Sequence, residues 1–226
     1  MKSPGLTIGS LVLSVGAVTL LAGCSGTQAR YRLEFDTEDA TVRTQLVDAA
    51  KRVVQRRLEA IGEDPDNLAV TIENGETILV VDTASDAIKD SITEQLTAPF
   101  TMRIMKEVEG TGDITVEGHG SFAAAGITEE HLEWVTAGKD TDPEKGRVML
   151  EFTEEGRAVM GEIFHENVGK YIGLFVRDRL VSKLLVESDE VKENIIITDI
   201  PAFLLAEIFA DDLNVGLHVT FVPAGA

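Results

Sequence analysis

The chain has 226 residues, with 39 Asp and Glu against 20 Lys and Arg, and a formal net charge of −19 at pH 7. Such acidity argues against nucleic acid as a partner, since that needs a basic footprint, and against lying flat on anionic lipid. A single cysteine, Cys24, excludes any intramolecular disulfide, so stability must come from the core alone.

In chain order, Lys2 is the only charge before Cys24, and residues 6–22 are an apolar run of Leu, Val, Ile, Ala and Gly. A charged start, an apolar stretch and small residues at the end are the marks of a secretory signal. Leu21-Ala22-Gly23-Cys24 resembles a bacterial lipobox. That resemblance implies a signal peptide over residues 1–23, cleavage between Gly23 and Cys24, and acyl chains, palmitate among them, on Cys24. The competing reading is an uncleaved signal anchor with an inert cysteine. A catalytic Cys24 has no nearby base to form a thiolate. Ser25 implies the outer membrane in a two-membrane host, and the plasma membrane remains the site in a one-membrane host.

Residues 24–30 then form a short lipidated tether. "YRLEF", residues 31–35, alternates like a strand. From Thr41 to Ile61 apolar residues recur at helical spacing, and Gly62 stands where a C-terminal cap belongs. "LAVTIE" and "ETILVVD" are strands joined by a tight Asn74-Gly75 hairpin. Ser85 or Asp86 caps a helix carrying Ile88, Ile92 and Leu96; Pro99 ends it, and "FTMRIM", residues 100–105, is a strand. This β-α-β-β-α-β order predicts a ferredoxin-like N-terminal unit over residues 31–106.

Residues 107–146 read as an acidic, loop-like connector with a short helix near residues 127–134. From Glu107 to Glu166 there are 15 acidic residues against 4 basic ones. A field of that sign is either a solvated face or a steering surface for basic or unfolded partner segments. Residues 147–226 repeat the first plan: strand 147–153, helix from Glu154 to Val168, two strands joined at Asp178-Arg179, a strand at 194–199, a helix after Pro201 and a last strand at 216–222. The expected fold class is therefore α+β, two ferredoxin-like units joined by the acidic connector.

Individual residues point to structure rather than catalysis. Arg57 falls inside the apolar arc of its helix, so its guanidinium must find a carboxylate or loop carbonyls. Asn167 lies inside the apolar arc of its helix, where an amide bonds backbone. The run "KRVVQRR", residues 51–57, reads as a solvated face. Glu162 and His165 have a metal-ligand spacing, yet no second pair accompanies them. No nucleophile stands beside a base and no phosphate loop or metalloprotease motif is present, so the sequence calls for no enzyme, metal or cofactor.

"LEFTEEGRAVMGEIFHENVGKYIGLFVRDRLVSKLLV", residues 150–186, resembles the large periplasmic domain of SecD, a membrane subunit of bacterial protein export. Glu155-Gly156, Phe164, Asn167-Val168-Gly169-Lys170 and Val181-Ser182 carry the likeness. "VVQRRLEAIGEDPDNLAV", "GETILVVD" and "GITEEHLEW" extend it, so that it spans about residues 40–222. The chain departs from the family at Arg177-Asp178-Arg179, Lys183-Leu184 and Ile195-Ile196-Ile197, and it repeats none of the family's membrane helices after the first apolar run. The resemblance implies a non-catalytic, extracytoplasmic protein, held to the membrane by its lipid anchor. Its expected partners are Sec translocon subunits or unfolded secreted chains. The rival reading is a stand-alone lipoprotein that binds a solute or another envelope partner.

Overall fold

The computed structural model describes residues 27–188 and 194–225. Cys24, Gly23 and the apolar run before them lie outside the described residues. No helix among the described residues is long and apolar enough to cross a membrane. The architecture is mixed α+β, with antiparallel sheets and four α-helices.

The first sheet begins with β1 (Thr27–Phe35). Helix α1 (Ala40–Ala60) follows, its first turn capped by the Asp39 carboxylate, which accepts from the backbone of Thr41 and Val42. Strands β2 (Leu68–Glu73) and β3 (Glu76–Thr83) meet at Asn74-Gly75, both with positive φ, as a two-residue hairpin requires. Ser85 caps α2 (Asp86–Thr97). Leu46, Val53, Val54 and Leu58 of α1 and Ile92 and Leu96 of α2 pack on Tyr31, Leu33, Leu79 and Val81 of the sheet. On the opposite face Arg30 and Arg32 pair with Glu73, Glu34 and Glu76.

The next strand, β4 (Met102–Val108), does not join this sheet. It pairs instead with β6 (Gly120–Thr128) and β9 (Tyr171–Val176) in a five-stranded sheet ordered β10-β9-β4-β6-β5, where β5 is Ile114–Val116 and β10 is Arg179–Leu185. The place beside β1 is taken by β12 (Val219–Pro223), giving the order β12-β1-β3-β2. The expected pairing of residues 100–105 is thus corrected. The physical reason is burial on both faces: Ile104 belongs to one core and Met105 to another, so β4 is a central strand rather than the edge of a half-solvated sheet.

The acidic connector is likewise built rather than loop-like. It supplies β5, β6 and β7 (Leu132–Lys139), with one short 3-10 turn at Glu129–His131. Strand β7 pairs with β8 (Gly146–Phe152), which pairs with β11 (Asn194–Ile200) in a third sheet, β11-β8-β7. Residues 147–226 are therefore shared among three sheets and do not form a second ferredoxin-like sheet.

Two remaining helices close the cores. Thr153 caps α3 (Glu154–Glu166), whose Met160 and Ile163 pack beneath the second and third sheets. Helix α4 (Phe203–His218) lies between the cores: Ala206, Ala210 and Leu213 face the third sheet, while Val215 joins the core under α1. Gly146 of β8 sits against α4 so closely that a Cβ there would meet Ala206 Cβ at 2.7 Å.

Candidate functional site

The five-stranded sheet curls on itself. Met105, Phe122 and Phe175 are buried on its inner face, and they are covered by Ile114 and Val116 of β5 from one end and Leu180 of β10 from the other. Phe122 and Phe175 meet edge to face at 5.2 Å. Two edge strands far apart in the chain therefore border one cleft of about 620 Å³, lined by residues 114–117 and 119 on one side and 178–183 on the other. An open sheet edge presents unpaired backbone donors and acceptors. Here two such edges face each other.

Lys183 bridges the gap. Its Nζ donates to the carbonyl oxygen of His119 at 2.8 Å and pairs with Glu107 Oε1 at 2.6 Å. It also lies over the Tyr171 ring, 4.4 Å from the centroid, so the cation is held by a carbonyl, a carboxylate and an aromatic face at once. The β10 edge beside it is apolar and open. Val181 and Leu185 are each 46 % exposed, and Tyr171 and Val168 are also exposed. The ladder to β9 breaks at Val181, where the register shifts between Leu180 and Ser182. Beyond Tyr171 a further cleft of about 710 Å³ runs past Lys106, Glu109, Asn167 and Lys170.

The hairpin feeding β10 turns on Arg177 and Asp178, both with positive φ (49° and 61°), one residue earlier than the sequence pattern placed it. Two non-glycine residues hold left-handed conformations there, where Asn-Gly or Asp-Gly is the usual choice. Asp178 is tied down by an ion pair with Arg103 of β4.

The residues singled out in the sequence lie in separate places. Arg57 Nη1 donates to the carbonyl oxygen of Gln95, in the last turn of α2, at 2.7 Å, and burial together with the nearby charge of Arg177 pulls its pKa below the ordinary arginine value. Asn167 is buried, and its Nδ2 donates to the Ile163 carbonyl of its own helix at 2.7 Å. Of the run 51–57, Arg52 and Arg56 are not simply solvated: both reach Asp211 of α4, and Arg56 also reaches Asp212. That link depended on α1 meeting α4, which no local pattern announces. Among the described residues no group of three or more His, Asp and Glu is gathered as a metal site. His131 Nδ1 accepts from the Thr128 backbone, and His218 Nδ1 contacts Asp36 at 2.8 Å while its ring stacks on Trp134.

No protein-family model and no curated protein matches the chain. Solved structures do. The structure of SecDF, a translocon-associated membrane protein from Thermus thermophilus, superposes with a TM-score of 0.52 at 18% identity, covering 88% of this chain and 30% of that one. A SecDF structure in a super-membrane-facing form matches with a TM-score of 0.49 at 20% identity, over 88% of this chain and 30% of that one. A third, of SecDF as a membrane component that enhances protein export, gives 0.48 at 19% identity, over 87% and 98%. The chain thus spans under a third of the longer SecDF chains it matches. In fold, the chain is SecD-like, as the resemblance over residues 40–222 implied.

Proposed function

We propose that this is a lipid-anchored, extracytoplasmic, non-catalytic protein that attends protein export by holding extended polypeptide at the β5–β10 cleft. The observation that carries the reading is the open apolar edge of β10, with Val181 and Leu185 exposed beside a cleft bordered by a second edge strand. An extended segment can add to such an edge through main-chain hydrogen bonds, which are independent of sequence, while its apolar side chains cover Val181 and Leu185. Tolerance of sequence is what a binder of exported chains needs. The SecDF-like fold supports the same role at the level of export in general. Acylation at Cys24, after cleavage behind Gly23, would keep the cleft near the membrane.

Two experiments test this. A photo-crosslinking residue at position 181 should capture secreted chains in transit and co-purify translocon subunits, whereas the same probe at exposed Lys51 on α1 should not. Equal capture at both positions, or none at either, overturns the export reading; a thermal shift with a small solute in place of crosslinks would favour the stand-alone solute binder. Separately, Cys24→Ser should abolish palmitate incorporation and release the protein from membranes, and retained acylation would remove the anchor from the proposal.

A further inference from the structure

A second, smaller cavity of about 140 Å³ lies where the first sheet meets the β9–β10 hairpin. It is lined by Thr97 at the end of α2, Phe100 beyond it, Val215 in the last turn of α4, and Thr220 of β12. Two guanidinium groups line it from opposite bodies, Arg57 from α1 and Arg177 from the hairpin turn. The carbonyl of Gln95 is the hydrogen-bond partner of Arg57, which forms no ion pair among the described residues. The Arg177 side chain makes neither a hydrogen bond nor an ion pair among the described residues. The like charge of Arg177 adds to burial in lowering the Arg57 pKa, and Asp212 partly offsets it.

In a chain with 39 acidic against 20 basic residues, two converging cations without a carboxylate between them are unexpected. Among the described residues, carboxylates pair with six other arginines: Arg30, Arg32, Arg43, Arg52, Arg56 and Arg103. The backbone, moreover, enforces the juxtaposition. Arg177 is held at a φ of 49°, with its N–H donated to the carbonyl oxygen of Thr101 at 2.9 Å, in a conformation that glycine would adopt freely. The two-residue hairpin requires that conformation, and it fixes where Arg177 stands relative to α1.

We infer that this cavity binds a small phosphate-class oxyanion clamped between Arg57 and Arg177. The chemistry fits. Planar guanidinium forks match the oxygens of a tetrahedral anion, and their charge-assisted hydrogen bonds are strongest where solvent is partly excluded. The space, far above the roughly 10–15 Å³ that one water needs, is large enough for a tetrahedral anion. Its bound oxygens would cancel the repulsion and tie α1 to the β9–β10 hairpin, the turn that leads into the exposed β10 edge. The inference does not depend on the export reading.

The test uses the full chain in detergent, with inorganic phosphate titrated against sodium chloride at matched ionic strength. Calorimetry should show one site, and the melting temperature should rise with phosphate beyond its rise with chloride. Arg177→Gln, at an exposed position, should melt normally in chloride yet bind phosphate about tenfold or more weakly, as loss of a charge-assisted contact implies. Arg57→Lys should weaken binding while preserving a cation. Phosphatidylglycerol vesicles separate the two sources of the anion: sedimentation that depends on Arg177 assigns the site to a headgroup, and phosphate binding without it assigns the site to the free ion. No phosphate effect beyond chloride, or an equal effect in Arg177→Gln, overturns the inference.

Discussion

The side-chain amide of Asn214 pairs with Val135 as though it were a strand. Its Oδ1 accepts from the Val135 N–H at 2.9 Å and its Nδ2 donates to the Val135 carbonyl at 2.8 Å. Strand β7 is the edge of the third sheet, so these are the backbone groups that no neighbouring strand takes. A helix residue thereby closes a sheet edge that would otherwise be buried unsatisfied.

Asn214→Leu keeps the volume and strands both groups. At about 1–3 kcal/mol per buried unpaired group, the loss should be about 2–4 kcal/mol. Asn214→Asp retains the acceptor but loses the donor and should lie between the two. Urea denaturation measures both, and a cost below about 1 kcal/mol for the leucine variant would mean that water reaches Val135.

Asp211 is buried and receives Arg52 through Nε at 2.8 Å and Nη2 at 2.6 Å. Half of the Arg52 side chain is in solvent, which weakens the pair relative to a fully buried one. A double-mutant cycle of Arg52→Ala with Asp211→Ala should give a coupling of about 1–2 kcal/mol. Additive single effects would show that α1 and α4 are joined by packing alone.

At Gly216 two effects oppose each other. Alanine gains about 1 kcal/mol of helix propensity over glycine. Its Cβ, however, would stand 2.2 Å from Phe100 Cδ2, and Phe100 packs against the main core. Overpacking of this kind costs about 1–3 kcal/mol, so Gly216→Ala should be net destabilising by about 1 kcal/mol. A higher melting temperature in the variant would mean that the ring swings aside.

Asp140 gives a pH dependence with a definite sign. Its carboxylate accepts from the backbone N–H of Asp199 at 2.8 Å and of Thr141 at 2.7 Å, and these bonds, with Arg147 and Lys145 nearby, hold its pKa below the usual carboxylate value. A depressed carboxylate pKa contributes stability above the unfolded value, and the contribution fades as pH falls through the folded value. Acidification below about pH 4 should therefore loosen the link between residues 140 and 199, and Asp140→Asn should lack that part of the acid response. Carbon-13 NMR titration of the carboxyl groups reads it directly; an Asp140 midpoint at the ordinary value would contradict it.

Lys183→Met should leave the fold intact but release the β5–β6 turn, because the bridge to the His119 carbonyl is lost while the apolar stem is kept. Faster amide exchange at residues 118–121, without a change at the Asn74-Gly75 turn, is the expected signature.

Most local elements are legible in the chain. Asn74-Gly75 makes its hairpin, Ser85 and Thr153 cap their helices, and α1 follows its apolar spacing, because each signal acts within a few residues. The connector was harder to read. Its strands β5 to β7 carry glycine, alanine and charge, and they become strands by pairing with β4 and β8 rather than by their own propensity. The candidate site was not legible either, apart from the apolar "LVSKLLV", since the cleft exists only once β5 and β10 are brought face to face.

The sequence by itself determined the α+β class, nearly every helix and strand outside the connector, and the strongly acidic character of the chain. Tertiary structure alone decided which strand lies beside β1. Alternation tells a strand which face is buried but says nothing of its neighbour, and β12 reaches β1 across the whole chain because α4 ends there. Tertiary structure also decided that Lys183 meets His119, that Arg57 and Arg177 line one cavity and that Asn214 meets Val135. Each pair joins residues far apart in the chain, and only the packed cores beneath them set the distance.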